Sequence, residues 1–129
     1  MSITKIQELK IILLVALVQA GDNFISLTQI AREKKLPLPF LRVVARELIF
    51  LGLIESKEGK NGGYRLAKPP QEIALSEVLK KEDKFFRIPC EKGTCQLFGN
   101  CPVFYTWQKA EEKMSELFSK IKLSDFINV

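Results

Sequence analysis

The stretch LIESKEGKNGGYRLA, residues 53–67, limits the possible folds more than any other part of the chain. Two short extended runs, 53–56 and 64–67, flank a polar segment that ends in Asn61-Gly62-Gly63. Turn residues between two apolar-polar runs predict a β-hairpin. Pro69 and Pro70 follow and end it, because proline cannot continue a ladder.

Everything before the hairpin reads as helix. Residues 4–20 are strong helix formers with apolar side chains nearly all round, predicting a buried first helix that ends at Gly21. Ser26-Leu27-Thr28-Gln29 has the capping-box pattern and opens a short helix to about Lys34. Leu36-Pro37-Leu38-Pro39 is a turn that leads into a third helix, since proline suits the first helical positions. Its apolar positions Leu41, Val44, Ala45, Leu48 and Ile49 form one inward face, and Gly52 closes it. Three helices and a hairpin in this order predict a winged helix-turn-helix: a mainly α fold with a small β-hairpin as the wing. Ser76 is expected to cap a further short helix to about Lys81.

Charge sharpens this reading. The 129 residues carry a net charge of +5, and the whole surplus lies in residues 32–68, with nine Lys/Arg against four Asp/Glu. The remaining chain balances at eleven of each. A local basic excess is the footprint of a polyanion-binding face. The longest apolar run, residues 11–18, falls far short of the roughly 20 residues of a membrane span. No small-residue cleavage site follows it, so a cytoplasmic protein with no membrane partner is expected.

The three cysteines, Cys90, Cys95 and Cys101, stand at C-x4-C-x5-C, and the chain has no histidine. Reduced thiols of this kind are a soft-metal ligand set that suits an iron–sulfur cluster, zinc or copper(I). Structural zinc takes four Cys or His ligands, which one chain here cannot supply. A cluster with one weak ligand fits better, while zinc and thiol redox chemistry remain alternatives. Cys101 immediately precedes Pro102 at a helix start, where backbone N–H groups favour thiolate. Arg87 and Lys92 add positive charge near Cys90, and Gly93, Gly99 and Asn100 let the loop bend.

From Pro102 onward, Val103, Trp107, Ala110, Met114, Leu117 and Ile121 recur at steps of four and three. That stripe predicts a helix of about 20 residues which pairs with a second copy of itself. Three units follow: a winged DNA-binding domain over 1–81, a cysteine loop over 82–101, and a dimerisation helix with a tail over 102–129.

The segments SLTQIA, FLRVVARELIFLGLI and GKNGGYRLAKPPQEIALSEVL, with the downstream cysteine loop and long helix, resemble the bacterial Rrf-two-type transcriptional regulators over nearly the whole chain. The Gly-Gly-Tyr-x-Leu-Ala-x-Pro-Pro wing is the most specific element. The resemblance implies a homodimeric regulator whose cysteine loop holds a 2Fe-2S or 4Fe-4S cluster that controls binding to a palindromic double-stranded DNA operator. In some members the fourth ligand is a histidine three residues past the last cysteine, where this chain has Phe104. Others take an acidic residue from the partner's first helix, and Glu8 matches that position. The implied metal set is therefore Cys90, Cys95, Cys101 and Glu8.

On the DNA face, Arg42, Val43 and Arg46 point outward from the third helix behind Pro39. Arginine suits guanine O6 and N7 in the major groove. Thr28 and Gln29 are placed to hold phosphates, and Lys57, Lys60, Asn61, Gly62 and Arg65 to carry the wing onto the backbone or minor groove. Pro37 and Pro39 stand where hydroxyl residues are common in the family, and Glu58 stands where a basic one is, so the sequence preference is expected to differ. These departures also keep open an adaptor that retains the fold without binding DNA. An enzyme is not expected: there is no histidine base, no phosphate-binding glycine loop and no convincing acid pair.

Overall fold

The computed structural model describes residues 3–79 and 95–127. Helix α1 (Lys5–Ala20) runs through the centre of the molecule. Its start is locked by a reciprocal cap: Thr4 Oγ1 accepts from the Gln7 N–H at 3.2 Å, and Gln7 Oε1 accepts from the Thr4 N–H at 2.8 Å. Leu9, Leu13, Leu14 and Leu17 are fully buried along it. Against them pack α2 (Leu27–Lys34) through Leu27 and Ile30, and α3 (Leu38–Phe50) through Leu41, Val44, Ala45 and Leu48. Ile49, expected in that inward face, is instead 39% exposed, because its position on α3 turns it toward the surface beside Arg42 and Arg46.

The hairpin forms as expected. Strands β1 (Ile54–Lys57) and β2 (Gly63–Leu66) pair antiparallel, with Ile54 opposite Leu66 and Lys57 opposite Gly63. A second, shorter pairing fixes the wing to the body: Tyr64 and Ile25 exchange both backbone hydrogen bonds, at 2.8 and 3.0 Å. The two glycines serve this geometry rather than open space around the wing. A Cβ at Gly62 would lie 2.1 Å from the Lys57 carbonyl oxygen, and one at Gly63 2.4 Å from that of Ile25, where φ is also +139°. No larger residue fits either place.

Beyond a 3-10 turn at Pro70–Glu72 comes the single-turn α4 (Leu75–Val78). Ala74, not Ser76, stands at its N-cap, and the Glu77 carboxylate accepts the Ala74 N–H at 2.9 Å. Ser76 lies inside the turn, two residues past the cap position. The helix, expected to reach about Lys81, already ends at Val78, where Leu79 leaves the helical conformation; Lys80 and Lys81 lie outside the described residues.

Helix α5 spans Pro102–Lys120 and, unusually for 19 residues, buries none of them. Val103, Trp107 and Leu117 of the apolar stripe are exposed, while Ala110 and Met114 are half-buried. Ile121 is not on the helix; it is extended and begins a return to the first domain. The Leu75 N–H donates to the Ile121 carbonyl at 2.8 Å, and the Leu123 N–H donates to the Ile73 carbonyl at 2.9 Å. Leu123, 3% exposed, thereby enters the core built around α1. The end of α5 is thus sewn to the winged domain by backbone and side chain together.

Candidate nucleic-acid interface and cysteine loop

The helix-turn-helix is held by local chemistry. Ser26 Oγ accepts the Gln29 N–H at 3.1 Å and starts α2, but the Gln29 side chain does not reach back. It donates to Glu33 Oε1 at 2.9 Å, so half of the expected capping box is present and the Gln29 amide is engaged along its own helix. Lys35 ends α2 in a left-handed conformation, φ 54°, which turns the chain sharply toward Pro37. Pro37 caps α3 without a side-chain hydrogen bond, and Pro39 follows within its first turn.

Arg42, Arg46 and Thr28 meet around one surface groove of about 420 Å³, which is also lined by Leu27, Leu38, Ile49 and Tyr64. Both arginines are exposed and make no ion pair or hydrogen bond among the described residues. The nearest acidic residue in sequence, Glu47, is taken by Lys10 of α1 at 3.0 Å. Two free guanidinium groups on the outer side of the second helix of the motif can donate paired hydrogen bonds to base edges. Val43 and Pro39 lie exposed on the same helix.

The wing divides into a fixed base and an open tip. Arg65 is anchored: its Nε donates to Glu55 Oε1, its Nη1 to the Asp22 carbonyl at 3.4 Å, and its guanidinium lies 4.4 Å from the Phe24 ring centroid. Lys57 approaches the same ring at 5.7 Å. These contacts fix the hairpin against the α1–α2 loop. At the tip, Lys60 and Asn61 are exposed with no hydrogen bond among the described residues, and Glu58 stands beside them. The residues read from the sequence omit Phe24, Tyr64 and Phe40. No local pattern marks Phe24 or Tyr64, whose roles depend on chain segments some 40 residues apart. The three-residue step from Phe40 to Val43 was a legible signal for an outward row.

Of the metal set, Cys90 lies outside the described residues. Cys95 and Cys101 are free, half-buried thiols at the two ends of a tight loop. That loop is closed by Phe98 N–H to the Cys95 carbonyl and Asn100 N–H to the Leu97 carbonyl, both at 3.1 Å. The Tyr105 hydroxyl donates to the Gly99 carbonyl at 2.6 Å, and Phe104, packed on Phe98 at 5.3 Å between centroids, backs the loop with apolar surface. Cys101 is the N-cap of α5. Two accessible sulfur donors on a folded loop at a helix N-terminus fit a soft-metal or cluster ligand set. Glu8 is exposed in the first turn of α1, where it pairs with Lys5 at 3.1 Å. Among the described residues, no three His, Cys, Asp or Glu side chains gather into a metal site. No helix among them is long and apolar enough to cross a membrane.

Comparisons with known proteins bear on the family and the fold. Residues 4–129 match the family described as "Rrf2: Iron-dependent Transcriptional regulator". The "HTH-type transcriptional regulator NsrR" of Shouchella clausii is 40% identical over 98 residues, 73% of this chain and 65% of its own length, so the chain spans about two thirds of that relative. The structure of CymR, described as the global cysteine regulator of B. subtilis, superposes with a TM-score of 0.78 at 20% identity, covering 98% of this chain and 95% of its own. IscR of T. potens superposes with a TM-score of 0.74 at 23% identity, covering 99% and 87%. At these identities the two superpositions bear on the fold, which is the winged helix with a long C-terminal helix.

Proposed function

Because the chain belongs to the Rrf2 family of iron-dependent transcriptional regulators, we propose that it is a homodimer whose binding to a palindromic operator is controlled by an iron–sulfur cluster on Cys90, Cys95 and Cys101. The observation that carries this reading is the cysteine loop ending at the N-cap of a helix with no buried residue. A helix that exposes Val103, Trp107 and Leu117 on one side is shaped to bury them against a second copy. In that dimer, Glu8 of one subunit's α1 serves as the oxygen ligand beside the other's three thiolates.

When bound, the cluster supplies a redox- and ligand-sensitive centre. The protein does the rest. Cys101 is the N-cap of α5, so the position of its sulfur sets the position of that helix end. The other end is tied to the winged domain through the Ala74–Lys122 bridge and Leu123. Movement of α5 is thereby passed to the core that carries α3 and the wing, and changes the spacing of the two reading heads in the dimer.

Purification without oxygen, with iron and sulfide counted per dimer, tests this. A coloured protein is expected, with colour lost in Cys95→Ser and operator affinity changed at least tenfold on cluster removal. A colourless preparation that binds DNA identically under every treatment ends the proposal. Bound zinc without visible absorbance favours a zinc-dependent regulator instead. A thiol switch is the second reading, favoured by two free thiols six residues apart and by the fold shared with a cysteine regulator. In that case mild peroxide, not iron, shifts DNA affinity.

A further inference from the structure

The outward side of α3 is half basic and half apolar, and among the described residues the apolar half is not packed into the core. Phe40 is 54% and Val43 45% exposed, among large hydrophobic residues that the fold leaves at the surface. Phe40, Val43 and Arg46 are spaced by threes and form one oblique row that runs from the first turn of the helix to the third. Arg42 lies one turn before Arg46 on the groove side. The row therefore changes across its width from aromatic, through aliphatic, to cationic.

The beginning of the helix reinforces this division. With Pro37 at the N-cap and Pro39 in the first turn, two of the backbone N–H groups that would otherwise point at an anion are missing. The head of α3 is thus poor at holding phosphate and rich in apolar surface. In the major groove the one apolar feature of a base edge is the C5-methyl group of thymine.

Building on the operator-binding reading above, we propose that Phe40 and Val43 are specificity-determining residues that pack on thymine methyl groups, beside guanines read by Arg42 and Arg46. Each half-site then carries thymine next to guanine in the register set by the three-residue steps of α3. Neither side chain is buried, so removing either leaves the core of Leu41, Val44 and Leu48 intact.

The test uses the full-length dimer and duplexes recovered from a random-sequence DNA pool. The tightest duplex is remade with each thymine replaced, one at a time, by deoxyuridine, which differs only in lacking the methyl group. One or two positions per half-site are expected to weaken binding about fourfold each. In Val43→Ala or Phe40→Ala protein, the penalty at the matching position disappears, while Lys60→Ala weakens all duplexes alike. If every deoxyuridine duplex binds like its parent, or the penalties persist unchanged in both variants, the inference is overturned and operator binding stands. If the pool yields no bound duplex at all, the operator reading itself fails, and this inference with it.

Discussion

Lys10 of α1 and Glu47 of α3 form an ion pair at 3.0 Å in which the lysine side chain is only 9% exposed and the glutamate side chain 47%. The pair ties the central helix to α3, and neither residue lines the groove formed by Arg42 and Arg46. It also occupies the one acidic side chain of α3.

Taking away the carboxylate leaves a largely buried ammonium without its partner. Glu47→Ala is expected to destabilise the fold by about 1–3 kcal/mol. Lys10→Met in the same background should restore most of the loss, because an unbranched apolar chain of similar length suits the site. Urea unfolding of the two single variants and the double variant measures the coupling; additive losses would show that the pair does not couple the helices.

Leu117 and Leu123 are separated by six residues and sit in opposite environments, 54% and 3% exposed. Leu123→Ala should cost about 2–4 kcal/mol of stability through the cavity it leaves beside α1. Leu117→Lys should leave each subunit folded and weaken the dimer at least tenfold, as read by sedimentation equilibrium. A Leu117→Lys protein that dimerises like the parent would place the seam elsewhere.

Glu77 gives the acid limb of stability a defined contributor. Burial alone would raise its pKa, but the hydrogen bond from the Ala74 N–H, the hydrogen bond from Lys68 and the charges of Lys68 and Lys122 outweigh it and hold it below the usual value. A carboxyl whose folded pKa is depressed stabilises fully above its unfolded pKa of about 4.3, and the contribution is lost as pH falls through the folded value. The parent should therefore lose more stability than Glu77→Gln between pH 6 and pH 3. Thermal melts of both proteins across that range check the sign.

The three basic positions of the proposed DNA face should behave differently from one another. Arg42→Ala is expected to relax base preference by about 1–3 kcal/mol at one position. Lys60→Ala should weaken all sequences equally and lower the salt slope by about one. Arg65→Ala should show first as a loss of stability, about 1 kcal/mol, since its guanidinium is occupied by Glu55 and Phe24. Binding titrations at several salt concentrations, with melts alongside, separate the three.

What could be read along the chain is what short-range chemistry decides. The Ser26 cap, the prolines at the head of α3 and the hairpin around Asn61-Gly62-Gly63 each depend on residues within a few positions of one another, and each appears where the sequence placed it. The reciprocal cap at Thr4 and Gln7 was equally legible as a Thr-x-x-Gln pattern.

The sequence alone determined a three-helix winged fold with a long apolar-striped helix behind a cysteine loop, because periodicity, caps and turn residues act locally. Only the tertiary structure decided which basic groups remain free. Arg65 is spent on Phe24 and Glu55, Lys10 on Glu47, while Arg42 and Arg46 keep their donors for another molecule. It also decided that Gly63 is needed against Ile25 and that Leu123 returns to the core of α1. Partners 38 and more than 100 residues away are set by packing, and no local pattern records them.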